Sequence, residues 1–486
     1  KYTKNLPLFE GTHIFKANPI VIEKLKEQKK LLSNGELIHS YPHSWRSKAP
    51  LVHRATPQWF ISMESHGLRK KALKALDDTT FYPSKGRERI KAMIETRPDW
   101  CVSRQRVWGV PLPIFVHKTT KEILVDDQVN ENIASIYEKE GSDCWFSDNP
   151  QRFLGDKYKA EDYDKTSDIV EVWFDSGCTH AFVLEKREDL QWPASMYLEG
   201  SDQHRGWFHS SLLESCGTRG RAPYESILSH GFVVDGKGLK MSKSLGNVIA
   251  PEDVLKKYGA DIIRIWVASS NYAEDLRIDY AILEQHADSY RKIRNTFRYL
   301  LGNLNDDFKI IDIEKLNLKE LPELEQYMLH KVYDLNEKFR NYFKSYDFHN
   351  LYKELLNFCT VDLSSFYFDI RKDVLYCDSK NSEKRKNCIV VLNVILDSLL
   401  KWFAPILSFT VEEIFTLIRQ DEKSIHLEKF IRFPKSFENK KLNEKWVELK
   451  KIRDICNISI EAKRASKEIG SSLEASLIIN LNEKMY

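Results

Sequence analysis

The stretch MYLEGSDQHRGWF, residues 196–208, has the pattern of a strand, a sharp turn and a helix. The apolar run at 196–198 predicts a buried strand, Gly200 permits the turn, and Ser201 can cap the helix that follows. Apolar strands and helices alternate in the same way across about 166–285, where DIVEVWF and SILSHGFVV are two of the predicted strands. This alternation predicts a parallel sheet in an α/β domain.

Polar side chains follow the predicted strand directly. Glu199, Asp202 and Gln203 stand at the carboxyl end of a parallel strand and beside a helix N-terminus, which is where open α/β sheets bind nucleotides. Their oxygens can accept hydrogen bonds from ribose hydroxyls or from an ammonium group. The alternative is a capped helix in which Asp202 only favours the helix dipole.

A second stretch, SILSHGFVVDGKGLKMSKSLGN at 226–247, joins a strand to a lysine-bearing loop. Gly231 allows a close approach to the strand backbone, and His230 either contacts a base or is an ordinary strand histidine. Lys240 and Lys243 follow in a loop with glycines on both sides. Such a loop can hold ammonium groups against polyphosphate oxygens, whereas the alternative is a solvated surface turn.

The composition is that of a soluble globular protein with room for about two to four domains. The 486 residues are 42% apolar and 30% charged, and the net charge of +3 neither establishes nor excludes a nucleic-acid partner. No apolar run is long enough to span a membrane, and no secretory signal opens the chain. The eight cysteines are scattered without a Cys-x-x-Cys pair, which is typical of reduced thiols in a cytoplasm and argues against a thiolate zinc site within this chain.

The remaining regions differ from the α/β part. Residues 1–50 mix short strand-like runs with an amphipathic helix from about Pro19 to Leu32, and 117–165 is polar and irregular, like an insertion. From near Ala287, apolar residues recur at helical spacing and predict a helical bundle. Later helices are predicted at about 321–345, 348–371, 383–404, 409–418 and 442–467, and a new strand is predicted after them.

The loop sequence KMSKS, 240–244, resembles the second signature of the class I aminoacyl-tRNA synthetases. Other stretches resemble the isoleucyl members of the bacterial type: HSYPHSWRSKAPLVHRATPQWF at 39–60, RPDWCVSRQRVWGVP at 97–111, VEVWFDSG at 170–177, YLEGSDQHRGWF at 197–208 and GSSLEA at 470–475. Five specified residues in this context are far more specific than a glycine pattern. The resemblance covers essentially the whole chain.

This resemblance implies a fold, an activity and a set of partners. The implied fold is a Rossmann-like α/β catalytic half-domain with the KMSKS loop, followed by an all-α anticodon-binding helical bundle. The family uses ATP with Mg²⁺ to convert isoleucine to isoleucyl-AMP, and then transfers the isoleucine to tRNA(Ile). It implies a cytoplasmic monomer with no membrane partner, and no metal or zinc site is expected within this chain.

The resemblance also implies roles for individual residues. Residues that follow the predicted strands would bind the isoleucyl-adenylate: Glu199, Gly200, Asp202, Gln203 and His230. The loop would bind ATP, with its two lysines in the catalytic role: Lys240, Met241, Ser242, Lys243 and Ser244. Trp173 and Asp175 would lie near the isoleucine pocket, unless Trp173 is ordinary strand core. Basic residues of the first bundle helix would contact tRNA phosphates or form a solvated face: Arg291, Lys292, Arg294 and Arg298.

The chain also departs from the family pattern. It contains no His-x-Gly-His motif. In the family that the chain resembles, a motif of this type is the first class I signature, and it precedes an inserted editing domain. We therefore predict four segments: the tail of the editing insertion at 1–50, the second half of the catalytic domain at 51–285 with an insertion at about 117–165, the anticodon-binding domain at 286–440, and the start of the C-terminal junction region at 441–486. The half with the first signature, the editing pocket and a C-terminal zinc module are expected to lie outside this chain.

Three functional hypotheses follow. The first is the C-terminal portion of an isoleucine–tRNA ligase that is inactive without its other half. The second is a non-catalytic tRNA-binding remnant of the same family, and the third is an unrelated nucleotide-binding α/β enzyme. The intact KMSKS and LEGSDQH stretches favour the first, because a decayed remnant would have no reason to keep both.

Overall fold

The computed structural model describes residues 1–44, 47–53, 55–304, 308–419 and 423–480, with the backbone alone for Ser244 and Leu473. The chain divides into two compact units, which meet in the sequence between Trp59 and Phe60.

The first unit is largely exposed. Its helix α1 (Ala17–Glu27) follows a 3₁₀ turn at Ile14–Lys16, and Ala17 is the one buried residue among those described up to Trp59. The helix is shorter than the predicted one, and the strand-like runs form only isolated bridges in the described part of this unit. A segment that buries so little apolar surface has almost no core of its own to hold strands together.

The second unit contains the remaining strands and helices. Its strands are β1 (Phe60–Ile61), β2 (Thr80–Tyr82), β3 (Trp100–Cys101), β4 (Ser103–Arg104), β5 (Phe115–His117), β6 (Tyr163–Lys165), β7 (Ile169–Val170), β8 (Tyr197–Gly200), β9 (Ser226–His230), β10 (Val233–Asp235) and β11 (Leu276–Ile278). Its first helices are α2 (Leu68–Asp77), α3 (Gly86–Glu95), α4 (Asp127–Glu140), α5 (Cys144–Ser147), α6 (Gln151–Leu154), α7 (Val172–Gly177), α8 (Trp207–Thr218), α9 (Pro251–Tyr258) and α10 (Ala260–Ser269). The bundle follows with α11 (Tyr280–Leu304), α12 (Glu323–Ser345), α13 (Phe348–Asn357), α14 (Asp369–Cys377), α15 (Glu383–Phe403), α16 (Ser408–Ile418) and α17 (Lys440–Ala465).

A three-stranded parallel sheet, in the order β2-β9-β8, forms the centre of the α/β part. β8 pairs with one described neighbour and is therefore an edge strand here. The prediction of a buried strand at 196–198 is only half right, because Tyr197 is buried while Leu198 is 54% exposed. Neighbouring residues of a strand point to opposite faces, so a strand covered on one side buries alternate side chains.

Two local predictions around this sheet are wrong. Ser201 does not cap α8: it lies inside a 3₁₀ turn at Ser201–His204, and Gly206 precedes the helix without a side-chain cap. The predicted strand DIVEVWF stops after β7, and Trp173 lies on α7. Apolar and β-branched residues favour a strand locally, but tertiary contacts override that preference here.

The predicted polar insertion is folded and not irregular. The antiparallel pair of β5 and β6 packs with α4, α5 and α6 around a small core that contains Phe115, Val129, Trp145 and Phe153. The apolar residues of α4 lie on one helical face, and its many charged residues face water, so the segment looks merely polar when read as a string.

The helical bundle matches the prediction closely. Helices α12, α15 and α16 lie within a few residues of the predicted ranges, while the predicted helix at 348–371 consists of α13, a π-helical stretch at Phe358–Phe368 and α14. The bundle shares one continuous apolar core with α9 and α10, from Val254 to Phe437. Residues 475–480 form no strand, and 481–486 lie outside the described residues. No helix in the described part of the chain is long and apolar enough to cross a membrane.

Candidate nucleotide and amino-acid site

The carboxyl ends of β8 and β9 bring three predicted site residues together. Glu199 pairs with Ser229 and Gly200 pairs with His230, so both strands end at the same edge of the sheet. Nδ1 of His230 donates to the carbonyl of Gly231 at 2.7 Å, because a carbonyl oxygen can only accept. The exposed Glu199 carboxylate lies at the same edge of the sheet.

The close approach to the strand backbone that was predicted at Gly231 is made by another segment of this chain, at Tyr272 and Glu274. The amide of Gly231 donates to the carbonyl of Tyr272 at 2.9 Å, and a methyl group on Gly231 would collide with the backbone of Glu274. The glycine is therefore needed for packing between β9 and the turn that precedes β11.

The 3₁₀ turn after β8 orders Asp202 and Gln203. The Asp202 carboxylate folds back over the strand end, where a methyl group on Gly200 would lie 2.8 Å from its Oδ1. Gln203 donates from Nε2 to Asp202 Oδ2 at 3.3 Å, while its Oε1 accepts from the backbone N–H of Trp207 at 2.9 Å. Both ends of the Gln203 amide are thus fixed, and the exposed Asp202 carboxylate can still accept hydrogen bonds from a ligand.

Two tryptophans from different helices lie beside Gln203. Trp173 on α7 is 41% exposed, and a methyl group on Gly206 would lie 2.9 Å from its six-membered ring. The Trp207 indole stacks on Tyr197 with ring centroids 3.9 Å apart, and its Nε1 donates to the Ser176 carbonyl at 2.9 Å. Trp207 was not predicted from the sequence as a residue of this site; its position four residues after Gln203 is the signal that could have indicated it.

Asp175, the other residue predicted near this pocket, lies half-buried on α7. Burial, reinforced by the negative charge of Glu171, raises the pKa of the Asp175 carboxyl. Glu171 itself is buried, and its carboxylate accepts from Trp100 Nε1 at 2.7 Å and from Arg104 at 3.1 Å. The start of α7 is thereby tied to β3 and β4.

A buried carboxyl joins α7 to α8. The Glu214 carboxyl of α8 lies against Gly177, where any side-chain carbon would collide with it, and beside the Cys178 thiol. Neither of its oxygens has a geometrically satisfactory hydrogen-bond partner among the described residues, and burial raises the pKa of Glu214 to about 8. Other buried polar atoms on and around α8 are likewise unpaired within the described part of the chain: both ring nitrogens of His209, and the hydroxyls of Tyr197, Ser211 and Ser215.

The lysine loop is closed by a clasp between Asp235 and Asn247. Asn247 donates from Nδ2 to Asp235 Oδ2 at 2.9 Å and accepts at Oδ1 from the backbone N–H of Ser242 at 2.9 Å. Asp235 Oδ1 accepts from the N–H of Leu239 at 2.8 Å, and Asn247 Nδ2 also reaches the carbonyl of Lys240 at 3.3 Å. These bonds tie the two ends of the loop to the end of β10.

The predicted ATP-binding residues alternate between solvent and core. Lys240 and Lys243 are exposed and form no ion pair with the described residues, whereas Met241 between them packs against the apolar core. Ser242 caps the short 3₁₀ turn at Lys243–Leu245 through its Oγ, which accepts from the N–H of Leu245 at 3.3 Å. The side chain of Ser244 lies outside the described part of the structure.

The three arginines predicted to meet tRNA differ in their surroundings. Arg291 on α11 forms ion pairs with Asp288 and with Glu284, which favours the solvated-face alternative at this position. Arg294 and Arg298 instead line a cavity of about 520 Å³ between α11 and α16.

The described residues include no group of three or more His, Cys, Asp or Glu side chains that could hold a metal ion. All eight cysteines are free thiols.

Comparisons with known proteins identify the two parts of the chain. Residues 7–279 match the family described as tRNA synthetases class I (I, L, M and V), and residues 325–479 match the anticodon-binding domain of tRNA ligase. Over its full length the chain is 89% identical to the isoleucine–tRNA ligase of Pelagibacter ubique strain HTCC1062, of which it covers 54%. Over 96% of its length it is 49% identical to that of Mesorhizobium japonicum, of which it covers 47%. The chain therefore spans about half the length of the curated relatives it matches.

Solved structures share this fold at low sequence identity. Methionyl-tRNA synthetase of Mycobacterium tuberculosis in complex with methionyl-adenylate superposes with a TM-score of 0.56 at 15% identity, and covers 81% of this chain and 73% of its own. The Agrobacterium radiobacter K84 agnB2 LeuRS–tRNA–LeuAMS complex gives 0.52 at 17% identity, over 73% and 46%. The predicted fold, a Rossmann-like α/β part followed by a helical anticodon-binding part, is confirmed. The chain belongs to the class I tRNA synthetases of the isoleucine, leucine, methionine and valine group.

Proposed function

We propose that this chain is the part of an isoleucine–tRNA ligase that carries the lysine loop and half of the site for isoleucyl-AMP. The observation that carries the proposal is the meeting of Glu199, Asp202, Gln203 and His230 at the carboxyl ends of β8 and β9. The carboxyl ends of parallel strands are where nucleotides bind in such sheets. The relatives are named isoleucine–tRNA ligase, and this name supports isoleucine as the amino acid and a tRNA as its acceptor.

In the proposed reaction, a carboxylate oxygen of isoleucine attacks the α-phosphorus of ATP. The bond from that phosphorus to the bridging oxygen breaks, and pyrophosphate leaves with Mg²⁺. Lys240 and Lys243 would stabilise the charge that develops on the departing phosphates. No covalent intermediate with the protein is needed, so the protein contributes positioning and charge stabilisation.

The remaining site residues would position the substrate. The oxygens of Asp202 and Gln203 would accept hydrogen bonds from the ribose hydroxyls or from the amino group of isoleucine. Glu199, at the end of β8, would contact the adenylate. Trp173 and Trp207 would form the apolar walls that a branched aliphatic side chain needs, with Gln203 between them. The helical part would bind the tRNA, as the match to the anticodon-binding domain supports.

The experiment that tests this proposal is isoleucine-dependent ATP–pyrophosphate exchange. It should be measured on this chain alone, and on this chain co-expressed with the part of the Pelagibacter ubique relative that it does not cover. Because the 486 residues hold no His-x-Gly-His, we expect no exchange from the chain alone and measurable exchange from the pair. The double variant Lys240→Ala/Lys243→Ala in the same pair is the control and should remove the exchange.

Two results would contradict the proposal. Exchange by the chain alone at the rate of a full synthetase would mean that the nucleotide site is already complete. A stable pair that binds tRNA without any exchange would favour the non-catalytic tRNA-binding alternative.

A further inference from the structure

A cavity in the helical part is lined by four cationic side chains, far along the sequence from the strand ends and the lysine loop. It has a volume of about 340 Å³, and Lys309, Lys380, Arg385 and Lys386 converge on it. Its other lining residues are Ile311, Ile389, Val390 and Asn393. No carboxylate from the described residues lines this cation cavity.

The cations of the cation cavity have no partner within the described part of the chain. None of the four forms an ion pair there, although ion pairs are common elsewhere on this protein's surface. The Nε of Arg385 is buried and has no hydrogen-bond acceptor among the described residues. A buried donor without an acceptor lowers the stability of the protein, and more so when the donor is charged.

Helix α15 and the Asn393 side chain hold two of these cations, Arg385 and Lys309, at the cavity. Arg385, Ile389 and Asn393 follow one another at helical spacing along one face of α15, so they line one side of the cavity together. Asn393 accepts at Oδ1 from the backbone N–H of Lys309 at 2.7 Å and donates to the Ile389 carbonyl at 2.9 Å. This link holds the segment after α11 against the helix and brings its lysine to the cavity.

We propose that the cation cavity is a phosphate-binding site, and that the phosphate it takes belongs to the backbone of an RNA. A phosphate diester accepts hydrogen bonds from several donors at once and cancels part of the charge that four converging cations accumulate. The planar Arg385 guanidinium provides the paired donors that suit phosphate oxygens, and the lysines provide mobile charges around it. The choice of RNA over a free phosphate rests on the proposed function, since Lys380 to Asn393 lie in the segment matched by the anticodon-binding domain.

The test measures binding of a fluorescein-labelled tRNA(Ile) transcript by fluorescence anisotropy at several salt concentrations. The triple variant Lys380→Gln/Arg385→Gln/Lys386→Gln should bind at least about tenfold more weakly than the unaltered chain. Its slope of log affinity against log salt should be smaller by about one, since the loss of one phosphate contact removes nearly one released counterion. The glutamines keep much of the length of the original side chains, and the melting temperature of the variant reports whether it is folded.

The matched control removes the same charge elsewhere in the helical part, as Lys353→Gln/Lys429→Gln/Lys435→Gln, three exposed lysines. An equal loss of affinity in both triple variants would overturn the site, because it would show a general effect of net charge. Unchanged affinity in the cavity variant would also overturn it.

A parallel arm uses inorganic phosphate and follows the melting temperature. If phosphate stabilises the unaltered chain but not the cavity variant, while both bind RNA equally, the RNA assignment is wrong and the site takes free phosphate. The cavity variant should leave isoleucine-dependent exchange unchanged in the co-expressed pair, because amino-acid activation needs no RNA in this proposal. Failure of the exchange assay therefore bears on the proposed function, and failure of the anisotropy assay bears on the cation cavity.

Discussion

Lys243 stands exposed on a loop whose neighbouring residue, Met241, is anchored in the apolar core. This arrangement suits a group that meets its partner only as charge develops on the phosphates. An interaction that is stronger in the transition state than in the ground state changes the rate of the chemical step, and leaves substrate affinity nearly unchanged.

We therefore expect Lys243→Ala to slow formation of isoleucyl-AMP by about 100- to 1,000-fold in the co-expressed pair, with little effect on isoleucine binding. Pre-steady-state adenylate formation measures the rate. Lys237→Ala, which removes another exposed lysine of the same loop, is the matched control and should be nearly neutral. An unchanged rate for Lys243→Ala would leave the KMSKS stretch as an ordinary surface turn.

Glu214 gives the stability of the protein a pH dependence of definite sign. Its pKa is raised from 4.5 to about 8, mainly by burial and also by the negative charges of Asp175 and Glu171, against the opposing effects of the Cys178 thiol and of Arg219. The folded protein thus keeps a proton that the unfolded chain loses above about pH 4.5. The contribution of this proton to the free energy of unfolding is therefore complete below about pH 4.5. It decreases by at most about 1.4 kcal/mol for each pH unit as the pH rises to about 8.

Glu214→Gln should remove this dependence, because an amide does not titrate. We expect its melting temperature, relative to the unaltered chain, to rise steadily between pH 5 and pH 8. Glu188→Gln, at an exposed position, is the control and should show no such trend. A constant difference across this range would mean that Glu214 does not carry the extra proton.

The sequence indicates a shared site only for residues that are close to one another in the chain. Glu199, Asp202 and Gln203 could be placed at a strand end because they directly follow the apolar run 196–198 and stand on either side of the turn at Gly200. The contact of Glu214 with Gly177 joins residues far apart in the sequence, and nothing in the local pattern of α8 indicates which of its polar side chains is buried.

Among the elements, the lysine loop depends most visibly on a single side chain. Asn247 supplies three of the hydrogen bonds that close the loop, to Ser242, Asp235 and Lys240. The loop buries little apart from Met241, so its order comes from this clasp and not from a core of its own.

Asn247→Ala should therefore loosen the loop without unfolding the protein. Hydrogen exchange at the amide of Ser242 should become about fivefold faster, since a net hydrogen bond contributes about 1 kcal/mol. The rate of isoleucine-dependent ATP–pyrophosphate exchange in the co-expressed pair should fall, while the melting temperature stays nearly constant. Asn317→Ala, on an exposed turn in the helical part, is the control. An unchanged rate of hydrogen exchange at the Ser242 amide would show that the clasp does not order the loop.

Elements were predictable where the apolar period is long and unbroken. The bundle helices repeat their apolar residues over many turns, so α12 and α15 lie close to where the sequence put them. Short elements gave weaker signals: VEVWF favours a strand by composition, yet α7 begins directly after the anchored Glu171. Two or three residues of strand carry too little period to compete with such tertiary contacts.

In the whole molecule, packing joins the α/β part to the bundle. Asp261 on α10 is buried and accepts from the backbone N–H of Thr410 at 2.8 Å and from its hydroxyl at 2.6 Å, so it caps α16 from a distance. Arg264 donates to the carbonyls of Pro405 and Ile406 nearby. The sequence predicted a boundary at about 286, but a contact between residues roughly 150 positions apart leaves no mark on the local pattern.

The bundle itself contains a buried ion pair. Arg371 on α14 donates from Nε and from a terminal nitrogen to the two oxygens of Glu325 on α12, both at 2.6 Å. The Glu325 side chain is 1% exposed and that of Arg371 10%, and Tyr367 donates to the same carboxylate at 3.3 Å. Removing one member leaves the other charge buried without a partner, whereas removing both avoids that cost.

We expect Arg371→Met to lower the free energy of unfolding by about 3–5 kcal/mol, because the Glu325 carboxylate is left unpaired. The double variant Arg371→Met/Glu325→Leu should recover most of this loss, since well-packed apolar residues often replace a buried pair at little net cost. Urea unfolding of the three proteins measures the difference. The exposed pair of Lys372 and Asp369 on the same helix is the control, and Lys372→Met should cost less than about 1 kcal/mol. A double variant as unstable as Arg371→Met would show that the pair contributes to stability by itself, and that the loss does not come from a stranded charge.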